Sequence, residues 1–389
     1  IVSPHLRVLR LVGFCRLRAE APSSGLRALH RWYHALALMG TFVFVLQQLI
    51  YAYQARKDLD KLTHVLFLML CHMTSIAKQL VFFVNANSID ALVARLHEPL
   101  LNAAGGAGDA LLRSTARRAA RLLHVYSGCA LATCVLWLVF PLLARLHGTY
   151  FEFTFWIGFN YDNIIGFSAM LVYSFYSTSV VAVGNTTMDA FIATILYQCK
   201  TQLQILRMNL ETLPERAVAS SHRDASEVYL KALQRHFVDC LCHYTKIIEL
   251  CTTLIEMFSM ALLVQFAAGG WILCMAAYNL VSMRVLSIEF LSTTMFMTCI
   301  LTELLLFCYC GNEVTVQSWG VCDSVYSMQW CGTPSSFQRS LLVVMERAKR
   351  PLRPSAEHLV PLSLETFLTI IKSSYSFYAV LRARQTKET

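Results

Sequence analysis

Charge is scarce in this chain. Only 15% of its 389 residues are Asp, Glu, Lys or Arg, against about 25% in an ordinary soluble domain. Gly and Pro together fill 25 of the 389 positions, which excludes collagen-like, low-complexity and disordered chains. Polar linkers of the kind that divide a soluble chain of this length into two or three domains are missing. His-Glu-x-x-His, Gly-x-Ser-x-Gly and P-loop patterns are absent too, so the sequence reads as a non-enzyme that needs no cofactor. What is abundant is apolar: 56% of the residues are hydrophobic and the mean hydropathy is +0.50. That surplus has to face something other than water, and a lipid bilayer is the partner it implies.

Uncharged runs bear this out. Residues 34–54, 122–143 and 257–280 carry no Asp, Glu, Lys or Arg, and each reaches the roughly 20 residues a helix needs to cross about 30 Å of hydrocarbon. Four further segments carry one or two ionisable residues: 62–84 with Lys78, 164–199 with Asp189, 285–310 with Glu289 and Glu303, and 360–381 with Glu365 and Lys372. The last is the weakest on hydropathy. Counting it predicts an all-α polytopic membrane protein with seven spans and its termini on opposite sides.

Basic residues set the direction, because Lys- and Arg-rich loops stay cytoplasmic. The segment before Trp32 and the second-to-third, fourth-to-fifth and sixth-to-seventh connections hold 23 of the 33 Lys and Arg. The amino terminus is therefore expected inside the cell and the carboxyl terminus outside, the reverse of a G-protein-coupled heptahelical receptor. The net charge of +9 is then topology, with no call for nucleic acid. The chain opens on Ile1 and not Met, so native residues are expected ahead of it. The first apolar run is too long for a signal-peptide core.

None of the 14 cysteines falls in the outer connections expected at 55–61, 144–163 and 281–284. They are read as small apolar side chains. The i,i+2 spacing of Cys240/Cys242 and Cys308/Cys310 suits a helical metal site poorly, so no metal is predicted. The sequon at Asn185 falls within the fourth span, out of reach of glycosylation. Lys78 is placed near the cytoplasmic end of its span, where it can snorkel. Asp189 and Glu256 lie at similar depth and are expected to share a polar network.

The cytoplasmic connections carry helical periodicity well past the bilayer at 110–121, 186–212 and 227–256. Gly105–Gly108 and Pro214–Ser221 are the breaks. Segment 312–349 reads as neither span nor loop; its apolar set includes Trp319, Tyr326, Trp330, Leu341 and Met345. An aromatic amphipathic stretch of this kind packs either over its own helices or between subunits.

The distal third carries a more specific signal. Phe307-Cys308-Tyr309-Cys310-Gly311-Asn312-Glu313-Val314 is followed by Ser327-Met328-Gln329-Trp330, Arg347-Ala348-Lys349-Arg350-Pro351-Leu352, Leu362-Ser363-Leu364-Glu365-Thr366-Phe367, and finally Lys372-Ser373-Ser374-Tyr375-Ser376-Phe377-Tyr378-Ala379-Val380-Leu381-Arg382. In this order the set resembles the carboxyl-terminal signature of insect odorant receptors, and of their divergent odour-tuning subunits in particular. The upstream half agrees in topology and in Gln198-Cys199 at the fourth-span exit.

The resemblance implies a tuning subunit that joins a shared co-receptor in a heterotetrameric, ligand-gated cation channel of the sensory-neuron plasma membrane. It decides for subunit assembly as the role of 312–349. The expected organisation is a helix bundle with cytoplasmic extensions over 1–311, an anchor over 312–359, and a pore helix with an extracellular tail over 360–389. A pore-lining helix has to tolerate water on one face, and Ser373, Ser376 or Phe377, Val380 and Arg384 share a face at helical spacing. Val380 falls at the family's apolar gate ring, which closes by dewetting. Arg382 and Arg384 put positive charge at the outer mouth, which does not help cations.

The ligand implied is a small, volatile, apolar molecule held in the outer half of spans two to six. Aromatic and Met side chains suit such a pocket. The candidates are Met69, His72 and Met73 on span two and Ala132, Val135 and Val139 on span three. Span four offers Phe167, Met170, Tyr173 and Ser177, span five Trp271 and Met275, and span six Met295 and Phe296. A gustatory-type receptor channel would carry a different last-helix signature, a G-protein-coupled receptor an external amino terminus, and a secondary transporter internal repeats with broken helices.

Overall fold

A backbone surrounded by hydrocarbon has to satisfy its hydrogen bonds within itself, so long apolar runs dictate long helices. The computed structural model describes residues 2–15, 24–102, 106–147, 151–158, 163–220, 226–283, 285 and 287–388. The order is α1 (Ser3–Leu11), α2 (Ser24–Gln54), α3 (Leu59–Val84), α4 (Ala86–Arg95), α5 (Pro99–Asn102), α6 (Gly106–Leu146), α7 (Ile164–Glu211), α8 (Leu213–Ser220), α9 (Ser226–Ser282), α10 (Ile288–Ser327), α11 (Ser335–Ala348), the two-residue strands β1 (Ser355–Ala356) and β2 (Val360–Pro361), and α12 (Leu364–Glu388). Six helices, α2, α3, α6, α7, α9 and α10, are long and apolar enough to span a membrane. With α12 as the further long helix, the chain is a polytopic helical membrane protein.

Several helices outrun the bilayer. At 1.5 Å per residue, the 57 residues of α9 and the 48 of α7 far exceed a hydrocarbon core of about 30 Å. The bundle therefore has two ends. At one, the short-loop end, α2 meets α3, α6 meets α7 and α9 meets α10. At the other, the extension end, α6, α7, α9 and α10 continue together with α1, α4, α5, α8 and α11 packed around them.

The extension end is solid. Phe191, Ile195, Leu203, Ile247, Leu254, Leu304 and Val314 are all buried in one continuous core. Several polar side chains in it and at its edge are paired across elements. Gln202 donates to the Leu101 carbonyl (2.6 Å), and its Oε1 lies 2.9 Å from His243 Nε2. Thr115 and Thr201 hydroxyls meet at 2.8 Å. Arg207 donates to Ser324 and Gln317, and Ser324 to Glu211. Two glycines permit close approaches. A side chain at Gly184 would overlap the ring of Phe14, which tucks the turn after α1 against α7. At Gly311 a Cβ would lie 2.6 Å from the Leu362 carbonyl oxygen, on the approach to α12.

The stretch from 312 to 327 is an unbroken continuation of α10; α11 follows after a short break. The β1–β2 hairpin, with Glu357 and His358 at positive φ, is pinned by Glu357 N–H donating to Ser259 Oγ at 2.5 Å. Together with Leu352 N–H on Ser318 Oγ, this fixes where α12 starts.

Candidate functional site

Between α2, α3, α6, α7 and the facing ends of α9 and α10, the short-loop end holds a cavity of about 490 Å³. Its wall is aromatic and aliphatic: Phe44 and Tyr51 from α2, Phe67 and Leu68 from α3, Trp137, Leu138, Phe140 and Pro141 from α6, and Leu171 and Phe175 from α7. Polar groups make the smaller share of the wall surface: Gln48, His64, His72, Thr154, Ser174, Thr178, Asn279, Ser292 and Thr293, with Lys61, Glu152 and Glu289. Pro141 has no N–H to bond the Trp137 carbonyl one turn back, so the helix loosens at the wall.

Segment 151–158 covers this hollow. Phe151, Phe153 and Phe155 alternate in sequence and their rings gather in one cluster. They join Phe44, Phe140, Phe167 and Tyr173 in a run of ring contacts with centroids 5.2–5.8 Å apart. The cover is tied to α2 by Trp156 N–H on the Gln47 carbonyl (3.1 Å) and to α3 by Lys61 Nζ on Glu152 Oε2 (2.6 Å). That ion pair is half exposed, so it orders the rim more than it stabilises it.

Toward the middle of the bundle a smaller recess of about 80 Å³ adjoins the cavity, sharing Leu68, His72, Cys134, Trp137 and Thr178 with it and reaching Asn185, Phe296 and Glu303. Beyond it lies a fully buried cluster. Lys78 Nζ stands 2.5 Å from Asp189 Oδ1 and 2.6 Å from Glu303 Oε1, and Asn185 Nδ2 donates to both carboxylates.

This overturns the expectation that Lys78 snorkels: it is 1% exposed, because two carboxylates inside the bundle hold it there. It also corrects the partner expected for Asp189. Glu303 of α10 takes that place, while Glu256 is exposed on the far side of α9.

The predicted pocket residues scatter. His72 lines the cavity, and Phe296 lines the recess, packed on Phe67 and Trp137 at 5.2 and 5.5 Å. Phe167, Met170 and Tyr173 belong to the aromatic cover, with Tyr173 donating to Gln47 Oε1 at 2.8 Å. Met69 is buried, and Val139, Ser177, Met275 and Met295 are half-buried outside the cavity wall. Met73, Ala132 and Val135 point outward from the bundle. On α6 the wall is formed by Cys134, Trp137, Leu138 and Pro141, a face rotated from the one expected. Trp271 stacks on Phe377 of α12 at 5.1 Å. The rings of 151–155 went unread, although the alternation Phe-Glu-Phe-Thr-Phe was there to be seen.

α12 packs on α9 by one side, where Ser374 donates to the Gly270 carbonyl at 3.0 Å. Ser373, Ser376 and Val380 lie exposed on the other, while Phe377, also exposed, sits at the edge where it stacks on Trp271; Arg384 falls beyond the residues whose side chains are described. Trp319 and Tyr326 are exposed, Trp330 and Met345 half-buried, and Leu341 buried. Among the described residues no group of three His, Cys, Asp or Glu is placed to hold a metal.

The family model for the 7tm odorant receptor matches residues 58–375. The chain belongs to that family. Among relatives, it is 30% identical over 204 residues to odorant receptor 46a, isoform B, of Drosophila melanogaster, covering 51% of this chain and 50% of the relative. With odorant receptor Or2 of Anopheles gambiae it shares 26% over 196 residues, 50% of each. The chain thus spans about half the length of the curated relatives it matches. In fold it is similar to the olfactory receptor OR5 of Machilis hrabei in complex with eugenol, with a TM-score of 0.84 at 15% identity over 98% of this chain and 97% of that one. These are receptors and not enzymes.

Proposed function

We propose that this odorant receptor is the odour-tuning subunit of a heteromeric, ligand-gated cation channel in the plasma membrane of a sensory neuron. Its amino terminus would be cytoplasmic, its carboxyl terminus extracellular, and its partner a shared co-receptor subunit. The observation that carries the reading is the covered cavity at the short-loop end: about 490 Å³, within the range of small-molecule sites, and walled mostly by aromatic and aliphatic groups.

Ligand binding can open a pore only if the open state binds the ligand better. The route from cavity to pore is short in this chain. α9 contributes Asn279 to the wall and, little more than two turns earlier, Gly270 and Trp271 to the contact with α12. A shift of α9 on ligand binding would therefore move α12. The exposed face of α12, with Ser373, Ser376 and Val380, suits a helix that meets the same helix of neighbouring subunits around water. Trp319 and Tyr326, with exposed Leu342 and Val343 of α11, suit the subunit anchor.

Expressed with a co-receptor subunit, the chain should give odorant-evoked cation current within milliseconds that persists when G-proteins are blocked. Current that vanishes under the block would refute the channel reading. Exchange of Val380 for a polar residue should raise leak or shift gating. An unchanged channel would move the gate elsewhere.

A further inference from the structure

We propose that the cavity is built for a neutral small molecule bearing a hydroxyl group, an alcohol or phenol, whose O–H donates to His72 Nε2. The proposal rests on the odorant-site reading of the cavity and names its ligand class.

Three wall residues, Gln48, His72 and Asn279, are buried to 1%, 3% and 6% exposure. Each keeps one buried polar atom without a partner among the described residues: Gln48 Oε1, His72 Nε2 and Asn279 Nδ2. Native interiors rarely leave such atoms unsatisfied, and a missing ligand is one of the ordinary reasons.

Their polarity can be assigned. The Leu68 carbonyl can only accept, and it lies 2.7 Å from His72 Nδ1. In the neutral ring Nδ1 therefore carries the proton and Nε2 presents a lone pair. Asn279 Oδ1 accepts from Thr63 Oγ1 at 3.2 Å, which leaves Nδ2 as the amide's free donor. The wall thus offers two acceptors and one donor.

A hydroxyl is the smallest group that both donates and accepts. Ethers, esters and ketones only accept, so they leave His72 Nε2 and Gln48 Oε1 unserved. Hydrocarbons serve none of the three atoms. A carboxylate would meet Glu152 and Glu289 on the same wall, where Lys61 is already held by Glu152; like charge disfavours it.

The test compares hexanol to nonanol, benzyl alcohol and phenol, each beside its methyl ether, by concentration–response of evoked current in the assembled channel. For the pairs that activate, the hydroxyl member should be roughly tenfold more potent, the scale of one well-made hydrogen bond. In His72→Phe that ratio should collapse to near parity. In His72→Gln, which keeps an acceptor, it should survive.

Because the readout is a ratio within one variant, a change in surface expression does not move it. Equal potency of alcohol and ether in the wild type would overturn the proposal, as would a ratio unmoved by His72→Phe. Activation by ethers or hydrocarbons alone would sink the hydroxyl assignment and leave the receptor reading standing. A channel at the cell surface that answers none of these probes, nor a wider panel of volatiles, would remove the receptor reading itself.

Discussion

The two halves of α7 are made of similar residues and used in opposite ways. From Thr186 to Leu206 every residue but Tyr197, Lys200 and Gln204 is buried, whereas from Ile164 to Val180 only Phe167 is. The first stretch is the axis of the extension-end core. The second divides its side chains between the outer surface and a hollow. In water the outward face would be an aggregation hazard; against lipid it costs nothing, so the short-loop half is free to be loosely packed and to keep a cavity. The boundary between the two regimes falls at the Lys78–Asp189–Glu303 cluster, which ties α3, α7 and α10 together at the depth where the hollow ends.

The sharpest way to break this division is to unbalance that cluster. Lys78→Met would leave two carboxylates, each under 3% exposed, with no cation. Removing one partner of a buried pair costs about 3–5 kcal/mol, a large share of the ~5–15 kcal/mol that holds a typical protein together. The expected outcome is loss of the monodisperse peak in detergent. Replacing all three residues with neutral counterparts, Lys78→Met with Asp189→Asn and Glu303→Gln, should recover most of it. If the single variant is as stable as the wild type, the cluster is not what binds the two regimes.

A second comparison sets one truncation on each side. Leu203 is fully buried in the extension core, so Leu203→Ala should cost about 2–5 kcal/mol through the void it leaves. Leu138 already borders the hollow, so Leu138→Ala removes atoms that have partners on one side only, and should cost about 1 kcal/mol or less. Melting temperatures of the two purified variants decide it; equal losses would erase the distinction between a packed and a hollow half.

How much of this was legible follows from the same division. The spans and their extensions are written in one dimension, as apolar runs and helical periodicity, and the chain can be read for them directly. The last helix was expected to carry one water-tolerant face; Ser373, Ser376 and Val380 are exposed, while Ser374 is buried.

The cavity wall is not written that way. Whether Ala132 or Cys134 faces inward depends on the rotation of α6, and lipid accepts either face, so hydropathy does not discriminate them. Lys78 was misread because a lone cation near a span end looks the same in sequence whether it snorkels or pairs; its partners lie 111 and 225 positions away. The aromatic cover was missed for a different reason. Its alternation spans five residues in what reads as a connection, and its partners Phe44 and Phe167 sit on two separate helices.

The smallest effect lies at the extension end, where α1 is held against α7. His5 is fully buried, its Nε2 3.3 Å from Thr194 Oγ1, and burial depresses its pKa from 6.5 to about 4. The sign follows from proton counts. Above pH 6.5 the ring is neutral whether the helix is docked or released, and the full stability is present. As pH falls from 6.5 toward 4, the released form takes up a proton that the docked form does not, so docking weakens by about 1.4 kcal/mol per unit. Between pH 7.5 and 5.5 the wild type should therefore lose about 1 kcal/mol relative to His5→Gln, which has no proton to take up. Hydrogen exchange of the α1 amides against pH reads this locally, without unfolding the bundle. Parallel profiles for wild type and variant would show that α1 is not held through a buried neutral imidazole.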